Sequence, residues 1–288
     1  MKLSIVIPCF NAARTIGAQL EALGRQRWSE PWEVIVADNG SSDGTRAIAA
    51  ARAALLPQLK IIDASARRGS GYARNAGARH ARGEAIAFCD ADDEVGEGWL
   101  PAIGAALAAH DFVASRMDVA KLNPVWLAQG LRNAQGQGLQ RVAYPPYLYH
   151  AGGSGLAVKR RLHEQVGGFD ETLPRLMDTD YCFRIQLRGT PLHFVPDAVL
   201  HVRYSARPAS LFRQARLWAV YNALLYKRYR SRMCLPHPWK EYFGTWRDLL
   251  RCAPRTLRRE TRSAWMKTLG TQVGLLQGAI RYRVPPVR

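Results

Sequence analysis

The pattern of apolar and polar positions alternates between two periods over the first hundred residues. Leu3 to Ile7 is an apolar, largely β-branched run closed by Pro8, the form of a buried strand. Ile16, Leu20 and Leu23 then recur at helical spacing, with Asn11 placed to cap that helix. Glu33 to Ala37 predicts a second strand, which runs into the turn-rich loop D-N-G-S-S-D-G-T from Asp38 to Thr45. Ala47, Ile48, Ala51 and Leu55 predict a second helix and Lys60 to Asp63 a third strand. Arg67 to Gly71 is a basic, glycine-rich loop, and Ala73 to Ala81 predicts a third helix. Ala85 to Cys89 is again a short apolar run, long enough for a buried strand and short for a helix. Strand and helix alternating in this way predict an α/β fold, with a mostly parallel sheet flanked by helices and right-handed crossovers.

The fourth run ends in Asp90, Asp92 and Asp93. Carboxylates crowded at the end of a buried strand repel one another unless a cation sits among them. Oxygen-only ligation suits Mg²⁺ or Mn²⁺, which keep waters and bind a diphosphate as well. Ligands of open α/β sheets bind beyond the carboxyl ends of the strands. A metal-diphosphate site is therefore one reading of D-A-D-D. A solvated acidic turn capping the next helix is the other.

Charge divides the chain. The 288 residues carry a net +18, but residues 203–288 hold 19 Lys/Arg against 3 Asp/Glu, and residues 1–202 hold 22 against 20. A near-neutral domain, residues 1–204, is thus expected ahead of a basic helical extension, residues 205–288. In the extension Leu217, Trp218, Val220, Tyr221, Leu224 and Leu225 are interleaved with Arg213, Arg216, Lys227 and Arg228. Trp239, Phe243, Trp246, Leu249 and Leu250, and then Trp265, Leu269, Val273 and Leu276, recur close to helical spacing. Amphipathic helices of this composition suit an anionic membrane surface, and the same faces also suit packing on the first domain. No apolar run approaches the ~20 residues that span a bilayer. The opening M-K-L-S-I-V-I-P lacks a signal peptide's apolar region, and Cys9, Cys89, Cys182, Cys234 and Cys252 have no C-x-x-C spacing. A cytoplasmic protein with reduced thiols, peripheral on the inner face of the membrane, is expected. No RNA- or DNA-binding motif accompanies the charge, so nucleic acid is not an expected partner.

Three chemistries are argued against. No G-x-G-x-x-G follows the first strand, no G-x-x-x-x-G-K-[ST] occurs, and Gly153-Ser154-Gly155 lacks the setting of a nucleophile elbow. What does occur, in this order, is I-V-I-P-C-F-N-A from Ile5, A-D-N-G-S-S-D-G-T from Ala37, A-R-N-A-G from Ala73, F-C-D-A-D-D from Phe88, V-G-G-F-D-E from Val166 and M-D-T-D-Y-C-F-R from Met177. Over residues 3–204 this series resembles the family 2 glycosyltransferases of GT-A fold.

The resemblance implies an inverting glycosyltransferase of cell-envelope, polysaccharide or glycolipid synthesis. It would move a sugar from a nucleoside-diphosphate sugar to a glycan or lipid-linked acceptor. Pro8, Phe10, Asn11 and Asp38 would line the nucleotide pocket. Asn39 stands where the family commonly has Asp, and its carbonyl oxygen can still accept the N3–H of uracil or thymine. UDP or TDP is accordingly expected ahead of GDP. Arg74 would touch the diphosphate or base, or serve structure alone. Asp90 would join the nucleotide site, Asp90 and Asp92 would hold Mg²⁺ or Mn²⁺, and His201 in A-V-L-H-V-R would face the metal. Asp178 matches the general base, with Asp180 in its place if the register slips by two. Met177 replaces a usual Glu. That departure supports a rival reading, a nucleotide-sugar-binding protein with little or no turnover.

Overall fold

The computed structural model describes residues 1–56, 58–130, 133–230, 238–253 and 259–287; Cys234 lies outside them. Its elements run β1 (Leu3–Cys9), α1 (Ile16–Gly24), β2 (Trp32–Asp38), α2 (Thr45–Ala50), β3 (Leu59–Asp63), α3 (Ser70–Arg79), β4 (Ala85–Phe88), β5 (Glu94–Val95), α4 (Trp99–Ala109) and β6 (Phe112–Asp118). They continue with α5 (Val125–Gly130), β7 (Gln140–Arg141), β8 (Tyr149–His150), β9 (Leu156–Lys159), α6 (Arg160–Gln165), α7 (Met177–Gln186), β10 (His193–His201), α8 (Pro208–Tyr229), α9 (Pro238–Cys252) and α10 (Arg259–Tyr282). Two compact units result. One comprises residues 1–122, 133–140 and 149–203, the other residues 123–132, 141–148 and 204–288.

The first unit holds an eight-stranded sheet ordered β3-β2-β1-β4-β9-β6-β10-β5. β1 to β4 pair in parallel, as their largely apolar runs predict. β9 enters antiparallel between β4 and β6, and β10 returns parallel to β6. Two local expectations are corrected. α2 ends at Ala50, and residues 51–55 continue as turns. Asn11 does not cap α1, whose N-cap is Thr15; it sits at φ 50° and its Oδ1 accepts the N–H of Ser42 at 2.9 Å. It thereby ties the loop after β1 to the loop after β2.

Ser4 and Glu33 interrupt the buried strands and satisfy each other at 2.8 Å. Burial works against the charge of Glu33, but hydrogen bonds from Lys60, the Arg82 backbone and Ser4 outweigh it and hold the carboxyl down at about 2. Helix α3 lies directly on β1 because residue 77 has no side chain: a Cβ there would fall on Cγ1 of Val6. Gly77→Ala would gain helix propensity but overpack this contact, which costs about 1–3 kcal/mol. A melting temperature lowered by a few degrees is expected, and an unchanged one in a thermal denaturation scan would show that the sheet yields freely.

In the second unit α8 and α10 meet through glycine. A Cβ at Gly270 would strike the carbonyl of Phe212, one at Gly274 the carbonyl of Arg216, and one at Gly278 would lie 2.7 Å from Cβ of Ala223. Ala219, Tyr242 and Leu275 are buried together beside Trp246. Among the described residues no helix is long and apolar enough to cross a membrane.

Candidate active site

The C-terminal ends of β1, β2, β3 and β4 open on one edge of the sheet, with Cys9 beside Asp38 and Asp38 beside Asp63. Loops leaving these ends line a cleft of about 270 Å³ whose walls include Pro8, Phe10, Asn39, Arg74, Asp90 and Asp92. Asn11, Asp38, Asp178 and His201 are not part of its lining. Phe10 exposes its ring, and the Arg68 guanidinium lies 4.4 Å from the ring centre. Asp38 is buried and accepts from the Ser41 N–H and from Arg46, each at 3.3 Å. Cys9 is inert: burial first, then nearby carboxylates, push its thiol up.

Asn39 is buried and heavily engaged. Its amide nitrogen donates to the carbonyls of Ala64 and Arg67, and its Oδ1 accepts the Gly69 N–H at 2.9 Å. An aspartate could make neither of the first two bonds. The residue thus fastens the basic loop after β3 to the end of β2.

Beyond β4, Asp90, Asp92 and Asp93 bring carboxylate oxygens within 4.8 Å of one another. Asp93 is buried and accepts the Arg203 N–H at 3.1 Å. Burial, then the charges of Asp90 and Asp92, push its carboxyl well above the usual range. Desolvation and then the charge of Asp90 raise Asp92 too, although Asp92 keeps an exposed surface and its desolvation is only partial. The buried Arg74 guanidinium pairs with Asp90 and lies 5.6 Å from the Phe169 ring centre. Its Nε has no hydrogen-bond partner. The buried Arg74 and the exposed Arg203 stand beside three carboxylates, leaving a net negative, all-oxygen group, which fits a hard divalent cation. His201 is not gathered into this group; its Nδ1 lies 2.7 Å from Oδ2 of Asp118.

Asp178 and Asp180 both lie in the first turn of α7 but in different surroundings. Asp178 is half-buried and accepts the N–H of Gly153 at 2.8 Å and of Thr179 at 2.9 Å. Nearby His150 is kept neutral, with burial driving its pKa down to about 4 against the charge of Asp178. Asp180 is fully buried and pairs with Arg184 at 2.7 Å, while Arg184 also holds the carbonyls of Val166 and Gly168. Asn75 grips the same glycine turn from α3. It donates to the carbonyl of Phe169 and accepts the Phe169 N–H, both at 2.9 Å.

The residues that sequence reasoning missed are Gly153 and Ser154. Gly153 donates to Asp178 and packs on Arg74, and Ser154 Oγ accepts the Asp90 N–H at 2.9 Å and bonds Asp93. This dipeptide joins the carboxylate cluster to Asp178. Its one signal in the sequence is the run Gly152, Gly153, Gly155. A Cβ at Gly152 would sit 2.6 Å from Met117 Cε, and one at Gly155 2.7 Å from Ser115 Cβ.

Residues 4–167 match the family described as Glycosyl transferase family 2. Among solved structures, Staphylococcus aureus TarS residues 1–349 in complex with UDP superposes with a TM-score of 0.59 at 18% identity, covering 98% of this chain and 91% of that one. The mannosyltransferase PcManGT from Pyrobaculum calidifontis, in complex with GDP-Man and Mn²⁺, gives 0.65 at 22%, covering 98% and 87%. These neighbours share the GT-A fold with this chain. The Escherichia coli UDP-Glc:alpha-D-GlcNAc-diphosphoundecaprenol beta-1,3-glucosyltransferase WfgD is 34% identical over 90 residues, 31% of this chain and 34% of WfgD. Three of the first four curated relatives are likewise matched over only 26% to 34% of their own length.

Proposed function

Because the chain belongs to glycosyl transferase family 2, we propose that it moves a sugar from a nucleoside-diphosphate sugar to an acceptor hydroxyl in one inverting displacement. The observation that carries this reading is the carboxylate cluster at the cleft, joined through Gly153 and Ser154 to the half-buried carboxylate of Asp178. Phe10, Pro8 and Asn39 flank the nucleoside, and Asp38 and Asn11 hold the loops behind them. Asp90 and Asp92 hold Mg²⁺ or Mn²⁺, with Asp93 as their buried neighbour. When bound, the metal neutralises charge that builds on the leaving diphosphate. Asp178 takes the acceptor proton, oriented by the N–H groups of Gly153 and Thr179.

Residues 1–204 form the catalytic part in this reading. The place of Asn39 in the cleft wall and the UDP of TarS support UDP or TDP as donor nucleotide, and the GDP-Man of PcManGT keeps GDP in the test. The acceptor named for WfgD supports a lipid-linked acceptor here, and the basic residues 205–288 support a peripheral place on the inner face of the cytoplasmic membrane. A donor-hydrolysis panel over UDP-, TDP- and GDP-sugars with and without Mn²⁺ tests the proposal. Slow sugar release from one nucleotide class, dependent on Mn²⁺, is expected. Donor binding without release or transfer to any acceptor would favour a sugar-nucleotide binder instead.

A further inference from the structure

Helix α9 carries more apolar surface than its unit covers. Tyr242 and Leu249 are buried, and Tyr242 packs with Ala219 of α8 and Leu275 of α10. Adjoining them on the helix, Trp239, Phe243 and Leu250 follow at intervals of four and seven and remain 46%, 61% and 73% exposed. The Trp239 and Phe243 rings stack at 5.9 Å, giving one continuous aromatic plate. At about 100° per residue, Arg247 and Arg251 fall on the next flank of this stripe, and Glu241 and Asp248 fall on the opposite side of the helix. An apolar stripe bordered by cations has the layout of a helix lying in a lipid interface, and the exposed Arg247 reaches its neighbour Asp248 only at 3.7 Å.

We infer that the Trp239–Phe243–Leu250 face of α9 docks on an anionic lipid bilayer, with Arg247 and Arg251 at the headgroup phosphates. The inference rests on the membrane reading given above and assigns it a surface. A bilayer is favoured over a protein partner by charge. Residues 203–288 carry 19 cationic against 3 anionic side chains, which complements an extended sheet of negative charge. Aromatic side chains with polar edges are also those that settle at the headgroup level.

The test is co-sedimentation of the full chain with phosphatidylcholine vesicles, with and without an equal part of phosphatidylglycerol, at low salt. The parent is expected in the pellet only with phosphatidylglycerol, and less so as salt rises. Phe243→Ser with Leu250→Ser removes exposed apolar groups only, so the fold should survive. Vesicle affinity should fall by roughly tenfold or more while nucleotide binding is unchanged. Asp248→Asn, on the far side, should bind vesicles at least as well as the parent. A parent that stays in the supernatant overturns the membrane reading and this inference together. A parent and a Phe243→Ser/Leu250→Ser variant that sediment alike overturn the α9 assignment alone. Loss of self-association in that variant, with vesicle binding intact, gives the face to a second copy of the chain and also overturns it.

Discussion

Asp178→Asn is expected to cut sugar transfer by roughly 10²-fold or more, the usual size for loss of a general base. Donor affinity should hold, because Asp178 does not line the cleft. The substitution keeps the size of the side chain but leaves one acceptor oxygen for two backbone donors, the N–H groups of Gly153 and Thr179. Some loss of stability, about 1–3 kcal/mol for an unmet donor, should accompany the kinetic effect. Transfer must therefore be compared at a temperature where circular dichroism shows both proteins folded. Asp180→Asn should behave differently. It breaks the ion pair that lets Arg184 hold the glycine turn, so it should lower the melting temperature first. A folded Asp180→Asn protein without transfer, beside an active Asp178→Asn protein, would move the base by two residues.

The second large effect is on metal. Asp92→Asn should weaken nucleoside diphosphate binding strongly in Mn²⁺ and leave it unchanged in EDTA; equal affinities in Mn²⁺ would falsify the assignment. Asp92 is the member of the cluster to change first, since Asp93 also carries the Arg203 contact and Asp90 the Arg74 pair. pH gives an independent check. The raised carboxyls of Asp92 and Asp93 keep their protons to higher pH than free aspartate, and a metal must displace those protons. Mn²⁺ affinity should consequently weaken on acidification, beginning at a higher pH than ordinary carboxylates would give. The sign for stability is opposite. Without metal, a carboxyl whose pKa rises on folding costs stability at neutral pH, and the cost fades as pH falls through the raised value. In EDTA at neutral pH, Asp92→Asn should melt no lower than the parent.

The half of the sheet that carries the cleft was legible because β1 to β4 are apolar runs ended by Pro8 or by aspartates, and such runs have one stable place in a parallel sheet. β9 was not legible. Leu156–Lys159 looks locally like any short strand, and its antiparallel seat between β4 and β6 is decided by residues some seventy and forty positions away. The carboxylate triplet could be read from residue types and order alone, whereas Pro8, Phe10 and Arg74 and the α7 aspartates were singled out only through the family resemblance. The different surroundings of Asp178 and Asp180 could not be read, because they depend on Arg184 folding back one turn and on Gly153 arriving from another loop. Asn39 looked like a neutral exchange for an acid. Its amide protons, spent on Ala64 and Arg67, show why the amide suits this loop.

The contact between α8 and α10 bears on where the second unit can work. Most helix pairs in water are driven together by the removal of large apolar side chains from solvent, a force that vanishes once the surroundings are themselves oily. Gly270, Gly274 and Gly278 instead bring α10 against the α8 main chain at Phe212, Arg216 and Val220. Close van der Waals fit of this kind is the force that holds helices together in lipid, where solvent exclusion contributes little. The glycine contact is therefore the part of the joint that partial immersion would leave intact, while the burial of Ala219 against Leu275 would lose its drive there.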